Sequence, residues 1–240
     1  MLDAITTERV DAYIVHLRGA SKNTDSTINR KLAALTKIMS YARRRNKMRM
    51  QPHIEHQKEN AGTNGRMCFL TQTEEEQVIE NLNKRGKDCH ADAVGVLVDT
   101  GLRPSELWRL TKREVDLERG ALTIWKSKSD KPRMVPMTER VKKILGARVE
   151  SSTHGPLFPN STNHWFINEW NKVKTDMGRD EDTEFIPYAL RHTCASRLIQ
   201  RGVRIEVVKE WLGHADISMT LRYARLNLAN LMDAVKVLER

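Results

Sequence analysis

The sequence is poor in the features that staple a fold or cross a membrane. Cysteine occurs at Cys68, Cys89 and Cys194 only, with no CxxC spacing. An odd, scattered set argues against a disulfide frame or a zinc site and points to free thiols in a reducing compartment. No apolar run approaches the ~18 residues of a membrane-spanning helix. The opening stretch, MLDAITTERVDAYIVHL, carries acids and lacks an apolar segment. A secretory signal is therefore not expected, and a cytoplasmic location is. Also missing are the phosphate loops GxxxxGK[ST] and GxGxxG, the HExxH pair and the GxSxG elbow. The chemistries those motifs serve have nothing here to rest on. The acids form no evident metal-binding cluster, and no cofactor is implied.

What is present is positive charge. The net charge is +10 and the pI about 9.6. Residues 1–66 hold 13 Lys+Arg against 6 Asp+Glu, a net of +7, so most of the excess lies in the first quarter of the chain. A concentrated cationic segment points to a polyanion partner, nucleic acid foremost. At 39% hydrophobic and 30% charged residues, the chain can still bury a core.

Helical periodicity opens the chain. Thr6 or Thr7 can cap a first helix with Val10, Tyr13, Ile14 and Leu17 on one face, ended by Gly19. A second helix, STINRKLAALTKIMSYARRRNK, places Ile28, Leu32, Leu35, Ile38, Met39 and Ala42 on one face. Arg30, Lys31, Lys37, Arg43, Arg44 and Arg45 lie mostly off it. No acid occurs from Asn29 to Met50, so this outer side can lie along a phosphate backbone. Residues 51–66, QPHIEHQKENAGTNGR, read as a linker. The domains expected are a short helical DNA-binding segment at 1–50 and a larger domain at 67–240.

The larger domain reads as mainly helical with one small sheet. Thr71 or Thr73 caps a helix with Glu in its first turn. ADAVGVLVDT is a buried helix, Gly101 a turn, and Pro104 enters a second helix. ALTIWKSKSDKPRMVPM is a hairpin with its turn at SKSDKP. From Trp165 on the pattern is helical, broken at Gly178, Pro187, Gly202 and Gly213. Four cations and a phenol sit at the junctions: Arg103 after a glycine turn, Lys128 at the hairpin tip, Arg191 opening ALRHTCASRLI, His214 after a Leu-Gly break, and Tyr223. Taken singly, each also has a plain structural reading as a surface ion pair, a solvated turn, a cap partner or a hydrogen-bonded core residue.

Order and spacing join them. TGLRPSEL, KSKSDKPRMVPM, LRHTCASRL and LGHADISMTLRY resemble the catalytic domain of the tyrosine recombinases, the phage integrase family, over roughly residues 66–240. His214 precedes Tyr223 by nine residues and follows Arg191 by 23; both distances suit that family. The resemblance implies a mainly α fold with a small antiparallel sheet (α+β). It implies site-specific recombination of double-stranded DNA without metal or ATP. Tyr223 would attack a phosphodiester and form a 3′-phosphotyrosyl link. Arg103 and Arg191 would clamp the non-bridging oxygens, Lys128 would protonate the leaving 5′ oxygen, and His214 would position the phosphate. Glu106 would orient an arginine or form an exposed i,i+3 pair. Lys126 is the rival of Lys128 on the same hairpin. The family usually has His or Lys where Tyr188 stands. Proton acceptance from Tyr223 therefore falls to Tyr188, His214 or water, and Tyr188 is chemically a rival nucleophile. His192 reads as structural. The implied partners are attachment-site DNA, further copies of the chain in a DNA-bound tetramer, and accessory DNA-bending or directionality proteins, with the helix at 224–240 docking between copies. The first segment is shorter than the family's usual core-binding domain, as in a short or truncated form. A type IB topoisomerase-like nicking-closing enzyme and a catalytically weakened DNA-binding regulator of the same fold are the alternatives.

Overall fold

The structure, a computed structural model, describes residues 4–21, 23–58, 67–125, 132–158 and 163–224. The chain divides into two compact units, 1–64 and 65–240.

The first unit is built on helices α1 (Thr7–Ser21) and α2 (Asp25–Arg44). The Thr24 hydroxyl accepts from the Thr27 N–H and caps α2, which satisfies one of the four donors a helix start leaves open. Val10, Ile14 and Leu17 of α1 pack on Ile28 and Leu32 of α2. Met39, Ala42 and Met48 form a second cluster, and Ile5, Leu35 and Ile54 pack against both. Two residues of the expected apolar faces depart from it. Ile38 is 60% exposed, and Tyr13 lies largely in solvent. The stretch expected to be a linker is tied down over its described part. Asn29 donates to the Gln57 carbonyl at 2.9 Å and accepts the Gln57 N–H at 2.7 Å.

The second unit is helical around one small sheet. α3 (Gln72–Lys84) begins in a capping box between Thr71 and Glu74. α4 (Asp88–Thr100) is apolar on nearly every side and buried accordingly, because α3, α6 (Glu139–Ser151) and α8 (Ala189–Gln200) all pack against it. α5 (Pro104–Leu107) is a single turn, shorter than the sequence pattern suggested. Strands β1 (Val115–Asp116), β2 (Ala121–Ile124) and β3 (Arg133–Pro136) form an antiparallel sheet in that order, with Leu122 opposite Val135 and Ile124 opposite Arg133. The hairpin is as expected; β1, at two residues, is too short to show a period. α7 (Asn163–Asp176), α9 (Ile205–Leu212) and α10 (Ser218–Leu221) complete the unit. Among the described residues no helix is long and apolar enough to cross a membrane, and no group of three or more His, Cys, Asp or Glu is placed to hold a metal ion.

Candidate active site

Two glycines shape the site. Gly101 (φ 63°) ends α4 and Gly213 (φ 66°) ends α9, both left-handed, a conformation that costs other residues about 1–2 kcal/mol. Space is closed there as well. A Cβ on Gly101 would stand 2.8 Å from Leu212 Cδ2, and one on Gly213 would stand 2.7 Å from Arg133 Cδ. These turns therefore let α4, α8, α9 and β3 approach one another. Each exposes backbone carbonyls that a buried cation can use.

Arg191 takes them. It lies in the first turn of α8 and is 1% exposed. Its Nη1 donates to the Gly101 carbonyl at 2.5 Å and its Nη2 to the Leu212 carbonyl at 2.6 Å. One guanidinium thus ties the TGLR turn to the LGH turn. Its Nε is buried and without a partner among the described residues. Burial pulls the Arg191 pKa down, yet the group remains a cation at neutral pH.

Glu106 is the counter-charge. It is 9% exposed and takes a fork from Arg133, Nη1 at 3.0 Å and Nη2 at 2.6 Å, together with Arg103 Nη1 at 3.0 Å and the Arg103 N–H at 2.9 Å. Burial by itself would raise this carboxyl. The hydrogen bonds and charge of Arg133, then those of Arg103, outweigh that and hold it below the ordinary carboxylate range. The Glu106–Arg103 pair, expected to be exposed in one of the two sequence readings, is instead largely buried. Arg133 was not singled out from sequence. It also donates from Nε to the Trp211 carbonyl at 3.2 Å, so it joins the sheet, α5 and the end of α9. The only sign of it in the sequence was its place as the first residue of the returning strand.

His214 is 8% exposed, and its Nδ1 pairs with the Thr220 hydroxyl at 2.8 Å. Burial first, then the charges of Arg191, Arg103 and Arg133, hold its pKa down at about 4, so the ring is neutral at pH 7. Tyr223 is 1% exposed and packs with Ala195, Ile199, Val208 and Leu212. Burial pushes its phenol up to about 12, against the opposing charge of Arg191. Its hydroxyl lies 2.6 Å from His192 Nδ1. Tyr188, just before α8, sets its ring edge-on to His192 with centroids 5.1 Å apart. Among the described residues no hydrogen bond joins Tyr188 or His214 to Tyr223. The structure therefore gives His192, read from sequence as structural, the contact considered there for Tyr188 or His214. Lys126, Lys128 and the segment after Ala224 lie outside the described residues.

In the first unit, Arg30, Lys37, Arg43, Arg44 and Arg45 are exposed and Lys31 is half-buried. Among the described residues none of the six forms an ion pair with a carboxylate. Arg45 lies over the Tyr41 ring, 5.4 Å from its centroid.

Comparison with known proteins places this fold and its arginine-rich cluster. Residues 68–230 match the phage integrase family, and the chain belongs to that family. It is similar to tyrosine recombinase XerA of Pyrococcus furiosus, 31% identical over 176 residues that span 70% of this chain and 60% of that protein. The catalytic domain of bacteriophage HP1 integrase superposes with a TM-score of 0.56 at 28% identity, covering 71% of this chain and 95% of that one. The Tn1549 transposon integrase, solved in complex with transposon right end DNA, superposes with a TM-score of 0.77 at 18% identity over 100% of this chain and 87% of that one; this last likeness is one of fold.

Proposed function

We propose that this chain is a site-specific DNA recombinase. It cleaves and rejoins double-stranded DNA through a 3′-phosphotyrosyl intermediate at Tyr223, with neither metal nor ATP. The observation that carries this reading is the tying of Arg103 and Arg133 to Glu106, and of Arg133 and Arg191 to the carbonyls of Trp211 and Leu212 just before His214, with the Tyr223 hydroxyl bonded to the residue next to Arg191. A pentacoordinate phosphorus gains charge on its non-bridging oxygens. Preorganised guanidiniums in a site closed to water stabilise that charge without reorganising. Arg103 and Arg191 are assigned this clamp, and the neutral His214 donates a hydrogen bond to the phosphate. Glu106 and Arg133 orient Arg103. Lys128 is assigned the acid that protonates the 5′ oxygen, as the family resemblance implies. Linking the 3′ phosphate to tyrosine keeps the bond energy for resealing.

The exposed cations of α2 serve as a sequence-independent grip on the backbone, in a first unit taken as a short core-binding domain on 1–50. The relatives' names and the DNA-bound transposon integrase favour double-stranded DNA as the substrate. A DNA-bound tetramer, with the segment 224–240 docking between copies, completes the reading, together with accessory DNA-bending or directionality proteins and action in the cytoplasm.

The test uses a pool of nicked duplexes with a randomised centre. Wild-type protein is expected to become attached to a subset of them in a complex that survives detergent. Tyr223→Phe is expected to bind the same duplexes and form no adduct. Adduct formation by the Phe variant would remove Tyr223 as nucleophile. Binding by wild type with no adduct on any duplex would favour the regulator. Plasmid relaxation without exchange between two selected sites would favour the nicking-closing enzyme.

A further inference from the structure

We propose that His192 is a catalytic residue, the acceptor that takes the proton of Tyr223 as the phenol attacks phosphorus. This rests on the recombinase reading above and deepens it.

The geometry carries it. The His192 Nδ1 to Tyr223 Oη distance is 2.6 Å, inside the ~2.6–3.2 Å reach required of a base and its proton. In the neutral ring with its proton on Nε2, Nδ1 is the acceptor and the phenol donates; this is the tautomer the proposal assigns to His192. Burial, then the charges of Arg222 and Arg191, hold the ring neutral, with a pKa of about 4. The two other candidate acceptors are placed otherwise. His214 Nδ1 is taken by Thr220, and Tyr188 meets the ring of His192 edge-on. Tyr188 lies one helical turn before His192, on the same face of α8, so its bulk fixes the imidazole plane rather than receiving the proton. The histidine missing from position 188 is thus answered from one turn further along the same helix.

The step balances. The Oη–H bond of Tyr223 breaks and its proton passes to Nδ1. An Oη–P bond forms with the freed electron pair, the P–O5′ bond breaks, and the 5′ oxygen takes the proton of its acid, the role assigned above to Lys128, which solvent later reprotonates. His192 then returns its proton to solvent, and resealing runs the sequence in reverse. Because the proton leaves while the Oη–P bond forms, no free phenolate has to accumulate, which matters for a phenol held near 12. Burial and the neighbouring arginines weaken the ring as a base; a phosphodiester beside Arg191 works against that, since a nearby anion favours the imidazolium.

The test takes a duplex recovered by wild-type adduct formation and measures single-turnover cleavage. His192→Asn keeps an acceptor oxygen near the Nδ1 position and cannot take a full proton. Its rate is expected to fall 100-fold or more, within the ~10²–10⁴ range of general base catalysis, with duplex affinity unchanged. Replacing Tyr223 by a fluorinated tyrosine of lower pKa is expected to recover at least tenfold of that loss. A duplex with sulfur in place of the bridging 5′ oxygen, whose leaving group needs no proton, is expected to leave the defect in place. His192→Gln checks folding independently through its thermal midpoint. Wild-type cleavage rates in both variants would overturn the proposal and spare the recombinase reading. So would a defect that fluorotyrosine does not relieve, or one that the sulfur substrate repairs. If wild type yields no adduct on any duplex, the recombinase reading fails and takes the proposal with it.

Discussion

Arg43, Arg44 and Arg45 finish α2 in open solvent, while Arg133 and Arg191 of the second unit are buried among carbonyls and a carboxylate. The residue type is the same and the physics differs. The exposed set has no acid from Asn29 to Met50 to offset it, so its charges add to a long-range field. That field is screened over ~8 Å at physiological salt. Most arginines around the second unit's core are instead partnered by acids of that unit. Glu106 answers Arg103 and Arg133, Glu75 answers Arg140 and Arg197, and Asp92 answers Arg148. What survives there is direction, since Arg133, Arg140, Arg191 and Arg197 are held by partners distant in sequence. One region supplies attraction and the other supplies geometry. A net charge of +10 reports only the first.

The contrast breaks most sharply at Arg191. Arg191→Lys keeps the charge and loses the fork that spans Gly101 and Leu212. Strand cleavage is expected to fall by about 10²–10³, the cost of removing one preorganised donor from an oxyanion site. Retention time of the duplex in a filter-binding assay should stay the same. If lysine cleaves normally, charge alone suffices and the geometric account of this unit is wrong.

Glu106 tests the same unit through its stability. Glu106→Gln keeps the shape and removes the charge that faces Arg103 and Arg133. Breaking one side of a buried pair costs about 3 kcal/mol or more, read as a lower urea midpoint at unchanged slope. The pH dependence follows from the depressed carboxyl. Its contribution is complete above the ordinary value of 4.5 and is lost as pH falls through the lower folded-state value. The Gln variant should therefore lose less stability between pH 5 and acid than wild type does. An identical acid slope would mean that Glu106 does not anchor the cluster.

How much of this could be read beforehand follows the same division. The exposed set was legible because a helical period and a run of arginines are local facts. So were the glycine turns, the hairpin and the order of Arg103, Arg191, His214 and Tyr223, which repeat a family pattern. Arg133 and His192 were not. Arg133 acquires its contacts from Glu106 and Trp211, far along the chain, and His192 its contact from Tyr223. Nothing within a window of sequence distinguishes such a residue from a strand-starting cation or a packed histidine. Glu75 was hidden in the same way. It looked like a first-turn acid favouring the helix dipole, yet it is buried between Arg140 and Arg197. Ile38 erred the other way, because periodicity assigned it a partner that the two-helix unit does not have.

The smallest effect on folding, and the cleanest contrast, belongs to α2. Arg43→Gln, Arg44→Gln and Arg45→Gln together remove three exposed cations and no described carboxylate partner, so each should change stability by no more than about 0.5 kcal/mol. Binding responds differently. Each phosphate contact contributes about 0.9 to the slope of log affinity against log salt. Where all three touch the backbone, the slope of the triple variant falls by about 2.7. Affinity at low salt drops equally for every duplex sequence, because a phosphate contact carries no base information. Once the duplex is saturated with protein, single-turnover cleavage is expected to match wild type. An unchanged salt slope would take α2 out of the DNA interface. A cleavage defect at saturation would mean that the exposed cations help set the geometry at Tyr223, and the division of labour between the two units would no longer hold.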